Sequence, residues 1–277
     1  MESHIEKQDG DVLQKSFKDM ISTLPKGNSW GFPGDVYQYQ GFWFSPPFLQ
    51  GALLAQQQFQ AQPTDIILCS SSRTGAAWLK SLTFSTITRT TYDDSTTPLL
   101  SKMPHDVVPY MEFDHIHHHL PYSFLPKSII DSGCKLIYIC RDPKDTFVSL
   151  YHIVARYNKS QNTQPIQLDE ARFKKASVRY WKASLERPDK LMFLKYEDLA
   201  EDTVLYLKKI ADFDNLSGLE VNKTGRHREG YENLRIENNI FFRKGKPGDW
   251  KNYLTTEMAQ RLDQRTMQKW SSSGLSL

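Results

Sequence analysis

Residues 135–152 read KLIYICRDPKDTFVSLYH, and the fold turns on how this stretch is parsed. Its first six residues form a continuous β-prone run without polar alternation, the pattern of a central parallel strand buried on both faces. Arg141-Asp142-Pro143 ends the run. Asp142 suits a helix N-cap, and Pro143 suits the first helical position, where its missing N–H costs no bond. The helix DTFVSLYHIVARY follows. DIILC (65–69) is a second buried-strand candidate, with a small-residue turn, SSSRTG, and a helix over 76–88 behind it. KLMFLKYEDL (190–199) is a third strand running into a helix. This alternation predicts an α/β fold, a central parallel sheet flanked by helices, with ligands at the carboxyl ends of the strands.

Outside these units the pattern is plainer. LQKSFKDMISTL has helical spacing and ends near Pro25-Lys26-Gly27. VYQYQGFWFSPPFLQGALLAQQQF reads as an irregular aromatic segment and then a helix. PLLSKMPHDVVPYMEF, punctuated by proline and histidine, reads as loop with short helical pieces, and TTEMAQRLDQRTMQKW as an exposed amphipathic helix. No repeat or low-complexity linker divides the chain. Residues 1–277 are therefore read as one domain, with residues 1–23 an N-terminal helical extension.

Composition narrows the function classes. With 35 Lys and Arg against 32 Asp and Glu, the formal charge of +3 gives no case for a nucleic-acid or membrane surface. Any anion site must come from local clustering. No apolar run reaches the length of a membrane span. Cys69, Cys134 and Cys140 sit in apolar, strand-like contexts without metal-ligand spacing, which suggests packed, reduced thiols and a cytoplasmic protein.

The turn after DIILC has the layout of a phosphate-binding loop: strand, small residues, helix start. It lacks the G-x-x-x-x-G-K-[ST] of nucleotide kinases, because Gly75 stands without a following Gly-Lys. Arg141 and Ser149 offer a guanidinium and a hydroxyl suited to a phosphate, provided the turn folds the arginine back over the helix. Arg243-Lys244-Gly245 and Gly248-Asp249-Trp250 join two cations to glycines that let a backbone approach an anion. The bland readings are an arginine paired with Asp142 or Asp145, and a solvated basic loop. Asp114-His115-Ile116-His117-His118-His119 raises a metal reading, since alternate histidines share one face of a strand.

IHHHLPYSFLP, YICRDPKDTFVSLYH, WKASLERPDKLMFLKYEDL, LSGLEVNK and FFRKGKPGDWKNYLT, in this order, resemble a plant-type cytosolic sulfotransferase. Similarity begins near Leu24 and reaches the C-terminus. The resemblance implies a P-loop-like fold and the donor 3′-phosphoadenosine 5′-phosphosulfate (PAPS), with 3′-phosphoadenosine 5′-phosphate (PAP) as product. It also implies sulfuryl transfer to a small hydroxylated acceptor of phenol, flavonoid, steroid or desulfo-glucosinolate type, by a monomer or weak dimer. His119 matches the family's catalytic base. An acceptor hydroxyl must lose a proton as it attacks, and imidazole suits that task at neutral pH. With His119 so assigned, no metal is expected. Arg141, Ser149 and Arg243-Lys244-Gly245 match the 3′-phosphate site. Trp78, Tyr196 and Phe213 match adenine-side residues, although either Trp78 or Tyr196 alone also suits a core.

The donor loop departs from the family. Ser72 through Trp78 read S-R-T-G-A-A-W where the family has P-K-S-G-T-T-W. Thr74, Gly75 and Trp78 keep a hydroxyl, the glycine and the tryptophan. Arg73 replaces the lysine at the leaving oxygen, and Ala76 and Ala77 replace both threonines. Backbone N–H groups and the helix dipole survive such changes. The segments between the Ser149 and Trp181 helices, and from YEDL to ADFDNL (211–216), are also shorter than the family's. The departures keep a second reading open: a repurposed relative that binds a nucleotide or small ligand without sulfuryl transfer. Tyr37, Tyr39, Phe42, Trp43, Phe44, Tyr110 and Phe113 are candidates for an apolar acceptor wall.

Overall fold

The structure, a computed structural model, describes residues 15–28, 34–93, 95–108, 117–160, 177–201, 226–227, 236–237, 243–271 and 273–275. Four of its strands form one parallel sheet: β4 (Ile66–Ser70), β5 (His117–His118), β6 (Lys135–Cys140) and β7 (Leu191–Lys195), in the order β5-β4-β6-β7. The apolar run at 135–140 occupies an interior position between β4 and β7, as its lack of alternation requires. Tyr138 is fully buried there, and its hydroxyl is satisfied by Ser71 at 3.2 Å and Ser177 at 3.1 Å. All three cysteines are buried and free.

Helices flank the sheet. Residues 15–22 (α1), Pro46–Gln58 (α2), Ala76–Ile87 (α3), Pro104–Val107 (α4), Lys127–Asp131 (α5), Pro143–Ser160 (α6), Ser177–Glu186 (α7), Tyr196–Glu201 (α8) and Thr256–Trp270 (α9) follow in chain order. The helix signals after 140 are realised as read. Asp142 Oδ1 accepts from Lys144 N–H at 2.7 Å, the N-cap bond, while Asp142 carbonyl takes the first helical bond from Thr146. Lys190 spends its ammonium at the other end of the sheet, donating to the carbonyls of Ile130 and Ser132 behind α5. The C-terminal helix α9 docks on α6 through Phe147, Val148, Leu254 and Ala259, with Lys144 Nζ 2.6 Å from Asp263.

One expectation is corrected. The aromatic stretch read as irregular is an antiparallel sheet of β1 (Lys26–Asn28), β2 (Asp35–Tyr39) and β3 (Phe42–Phe44). Gln40 and Gly41 both have positive φ, +47° and +81°, which makes a two-residue turn with the twist that hairpins need. The alternating Tyr-Gln-Tyr before that turn carried the signal. It was masked by four aromatics in seven positions, which blur a period of two.

Candidate active site

Four segments of the predicted site leave the carboxyl edge of the parallel sheet together. Loop 71–75 follows β4, His119 follows β5, Arg141 follows β6, and Tyr196 follows β7. Parallel strands place all their carboxyl ends on one side, so residues up to 125 apart in sequence share one rim.

The loop after β4 is shaped by backbone constraints. Arg73 has φ +69° and Gly75, the N-cap of α3, has φ +103°. A Cβ on Gly75 would lie 2.7 Å from Tyr196 Cδ2. Glycine is therefore required twice, for its conformation and for the ring beside it. Gly75→Ala is expected to cost about 2–4 kcal/mol from backbone strain and overlap. The check is a lower urea midpoint at unchanged slope; an unchanged midpoint would mean that the loop relaxes freely. Thr74 is buried, and its hydroxyl lies 2.8 Å from Ser71 carbonyl and 3.2 Å from Ile139 carbonyl. With one hydrogen directed at those carbonyls, this side chain braces the loop against β6. Ala76 and Ala77 open α3 with no side-chain cap, leaving helix-end amides as the loop's polar groups.

Arg73 spans the site. Its Nε donates to Ser149 Oγ at 3.1 Å, linking loop 71–75 to the second turn of α6. Arg141 turns back toward the first turn of α6, near Asp145 as one reading of the sequence had it. Its Nη2 lies 3.8 Å from Asp145 Oδ2 and 3.3 Å from Lys246 carbonyl, and its guanidinium lies over the Tyr196 ring at 4.4 Å. Trp78 meets the same ring edge-on, with centroids 5.2 Å apart. Tyr196 is buried, which pushes its phenol pKa up, and its hydroxyl donates to Gly245 carbonyl at 2.6 Å. One tyrosine thus ties the donor loop, Arg141 and the Arg-Lys-Gly segment together.

The basic segment is neutralised locally. Arg243 pairs with Asp249, Lys244 Nζ lies 2.8 Å from the same carboxylate, and Asn252 Nδ2 donates to it at 3.0 Å. Burial pushes the Asp249 carboxyl up, but the hydrogen bonds from Lys244, Arg243 and Asn252 outweigh it and hold the pKa near about 2. Asp145 Oδ2 and Oδ1 accept the N–H groups of Gly248 and Trp250, at 2.6 and 2.9 Å. Asp145 and Asp249, which read in sequence only as partners or motif letters, are the carboxylates that hold this loop. The available signal was their place inside two basic motifs.

His119 is half-buried and is positioned by the last residue of β4. Its Nδ1 lies 3.1 Å from Ser70 carbonyl and 3.0 Å from Ser70 Oγ. The carbonyl bond needs the hydrogen on Nδ1, the tautomer that leaves the lone pair on Nε2, while the Ser70 hydroxyl can serve either tautomer. Ser70 was not singled out in the sequence as the residue that holds His119. Among the described residues no group of three His, Cys, Asp or Glu is placed to hold a metal ion. His115 lies outside the described residues, as do Tyr110, Phe113 and Phe213. Tyr39, Phe42 and Phe44 pack around the buried Phe124 with centroids 5.1–5.8 Å apart, so each gives one face to the core.

A profile of the sulfotransferase domain matches residues 63–274. The chain belongs to the sulfotransferase family. A flavonol 4′-sulfotransferase of Flaveria chlorifolia is 37% identical, covering 95% of this chain and 97% of the relative. Cytosolic sulfotransferase 16 of Arabidopsis thaliana is 35% identical over 98% and 95%. The alignment to the flavonol enzyme spans 320 positions, more than the 277 residues of this sulfotransferase, so the relative carries segments absent here. An Arabidopsis thaliana putative steroid sulphotransferase superposes with a TM-score of 0.66 at 28% identity, covering 94% of each chain. A mouse sulfotransferase solved with PAP shares the fold, with a TM-score of 0.59 at 22% identity over 86% of this chain and 95% of that one.

Proposed function

We propose that this sulfotransferase moves a sulfuryl group from PAPS to a hydroxyl of a small, largely apolar acceptor in the cytosol. The observation that carries the reading is the shared position of base and donor loop: His119 is held by Ser70, the residue immediately before loop 71–75. The names of the cytosolic relatives support the compartment, and no helix among the described residues is long and apolar enough to cross a membrane. The flavonol and steroid names of relatives support a flat, hydroxylated acceptor, for which Tyr37, Tyr39, Phe42, Trp43 and Phe44 offer half-buried aromatic surface.

The residues present fit a phosphorylated donor. Arg141 Nε, Arg243 Nε and Trp78 Nε1 are buried donors with no acceptor, a costly state that an anionic, heteroaromatic ligand relieves. Bound PAPS supplies the sulfuryl group and leaves as PAP. Arg141, Ser149, Arg243, Lys244 and Gly245 would hold the 3′-phosphate, and Trp78 and Tyr196 the adenine side. The backbone of Thr74, Gly75, Ala76 and Ala77 would face the 5′-phosphate, with the Arg73 guanidinium countering charge on the leaving oxygen. His119 Nε2 takes the proton of the attacking hydroxyl.

The test is calorimetric titration of the full chain with PAP and with adenosine 5′-phosphate, which lacks the 3′-phosphate. PAP is expected to bind at least tenfold more tightly, since charge-assisted bonds contribute about 1.5–3 kcal/mol each. Equal affinities would remove the basis of the donor assignment.

A further inference from the structure

We propose that Asp145 is the positioning residue that assembles the 3′-phosphate site, by capping the Arg-Lys-Gly loop from α6. The inference rests on the donor reading above and names the residue on which its selectivity depends. Asp145 is 1% exposed and lies in the first turn of α6, four residues after Arg141. Its two oxygens accept the N–H groups of Gly248 and Trp250, 103 and 105 residues away. Those amides open a short 3-10 helix, Asp249–Asn252, which has no side-chain cap of its own. A helix start leaves its first amides without partners. Here a carboxylate from another element fills that place, and a negative charge suits the positive end of the turn.

The anchored amides flank Asp249 on both sides, and Asp249 in turn gathers Arg243, Lys244 and Asn252. Asp145 Oδ2 also lies 3.8 Å from Arg141 Nη2. One buried carboxylate therefore sets the distance between Arg141 and Ser149 on α6 and the cations of the loop. Among the described residues, Asp145 is the acidic side chain that bridges α6 and the loop backbone. The loop's other ties, from Tyr196 hydroxyl to Gly245 carbonyl and from Arg141 Nη2 to Lys246 carbonyl, fix its nearer end only. Releasing residues 248–250 would leave Arg243 and Lys244 paired with Asp249 and registered against Arg141 only through the 3.3 Å bond to Lys246 carbonyl.

The test compares PAP with adenosine 5′-phosphate on the parent chain, Asp145→Ala and Asp145→Asn, with thermal melts of all three. Asp145→Ala is expected to lose about 10²-fold in PAP affinity, the equivalent of two charge-assisted bonds, with adenosine 5′-phosphate affinity little changed. The preference for PAP then collapses. Asparagine keeps the shape and one accepting oxygen, so Asp145→Asn is expected to retain an intermediate preference, and it decides the matter if the alanine variant does not fold. A merely structural role would weaken both nucleotides together, and that result overturns the proposal. So does a folded variant with the parent's full preference. A parent chain without preference for PAP would defeat the donor reading itself, a result distinct from either.

Discussion

His119→Ala is expected to lower turnover by about 10²-fold or more, the usual span for loss of a general base, while PAP affinity stays nearly unchanged. The separation of the two readouts follows from the geometry. His119 is fixed through Nδ1 to Ser70, outside the cluster formed by Arg141, Tyr196 and the 243–250 loop. Removing the ring takes away the lone pair on Nε2 but none of the groups assigned to the nucleotide. Ser70 holds the ring by its backbone carbonyl as well as its hydroxyl, so the orientation does not depend on one side chain. Steady-state turnover with radiolabelled PAPS, set beside PAP titration, gives both numbers. Unaltered turnover in the variant would place the base elsewhere, with His117 the next candidate on the same strand. A stoichiometric zinc signal abolished by the substitution would instead revive the metal reading of the histidine run.

The second large effect is a gain. Arg73→Lys with Ala76→Thr and Ala77→Thr is expected to strengthen donor binding or raise turnover by roughly two to four orders of magnitude, from two restored bonds of about 1.5–3 kcal/mol each. Threonine hydroxyls at the first two positions of α3 would add charge-assisted donors to the helix-end amides already there. Hydroxyl side chains are tolerated at helix starts. Thr74 does not substitute for them, because its hydroxyl lies against Ser71 and Ile139 carbonyls. Arginine at 73 has a further consequence visible only in the structure: its Nε donates to Ser149. Lysine puts a methylene at that place in the side chain, which returns the Ser149 hydroxyl to the 3′-phosphate and a compact ammonium to the leaving oxygen. The panel of acceptors is phenols, flavonoids, steroids and desulfo-glucosinolates. A folded triple variant that gains PAP affinity yet transfers nothing would locate the defect on the acceptor side. No gain in PAP affinity would show that loop 71–75 does not face the donor, and the transferase reading would fall with it.

Much of the frame was legible in local pattern. The runs at 66–70 and 135–140 are strands because continuous apolar residues suit a sheet buried on both sides, and the apolar run at 191–195 forms a half-buried strand beside them. Asp142-Pro143 starts α6 because a cap and a fixed φ act within one turn. The parallel order then places the segments after these strands on one rim, while the roles given to His119, Arg73, Arg141 and Tyr196 came from the resemblance to sulfotransferases. The hairpin at 35–44 was less legible, since clustered aromatics blurred the Tyr-Gln-Tyr alternation and the turn's positive φ at Gln40 and Gly41 shows only in the structure.

Only the tertiary structure decided how the site is held. Arg73 reaches Ser149 across 76 residues, Tyr196 reaches Gly245 across 49, and Asp145 reaches Gly248 across 103. Nothing in local propensity records such pairs. Capping, turn and periodicity signals act over at most a few residues, whereas these bonds exist because packing of the whole sheet brings distant loops within about 3 Å, the hydrogen-bond range. The same holds for burial. Asp249 reads in sequence as one acid in a basic loop, yet it is 6% exposed and gathers both cations. Phe44 reads as a pocket wall, yet one face belongs to Phe124. Sequence determined which residue types arrive at the rim of the sheet. Folding determined which of their polar atoms are already engaged there and which, like the Nε of Arg141 and Arg243, are buried without an acceptor.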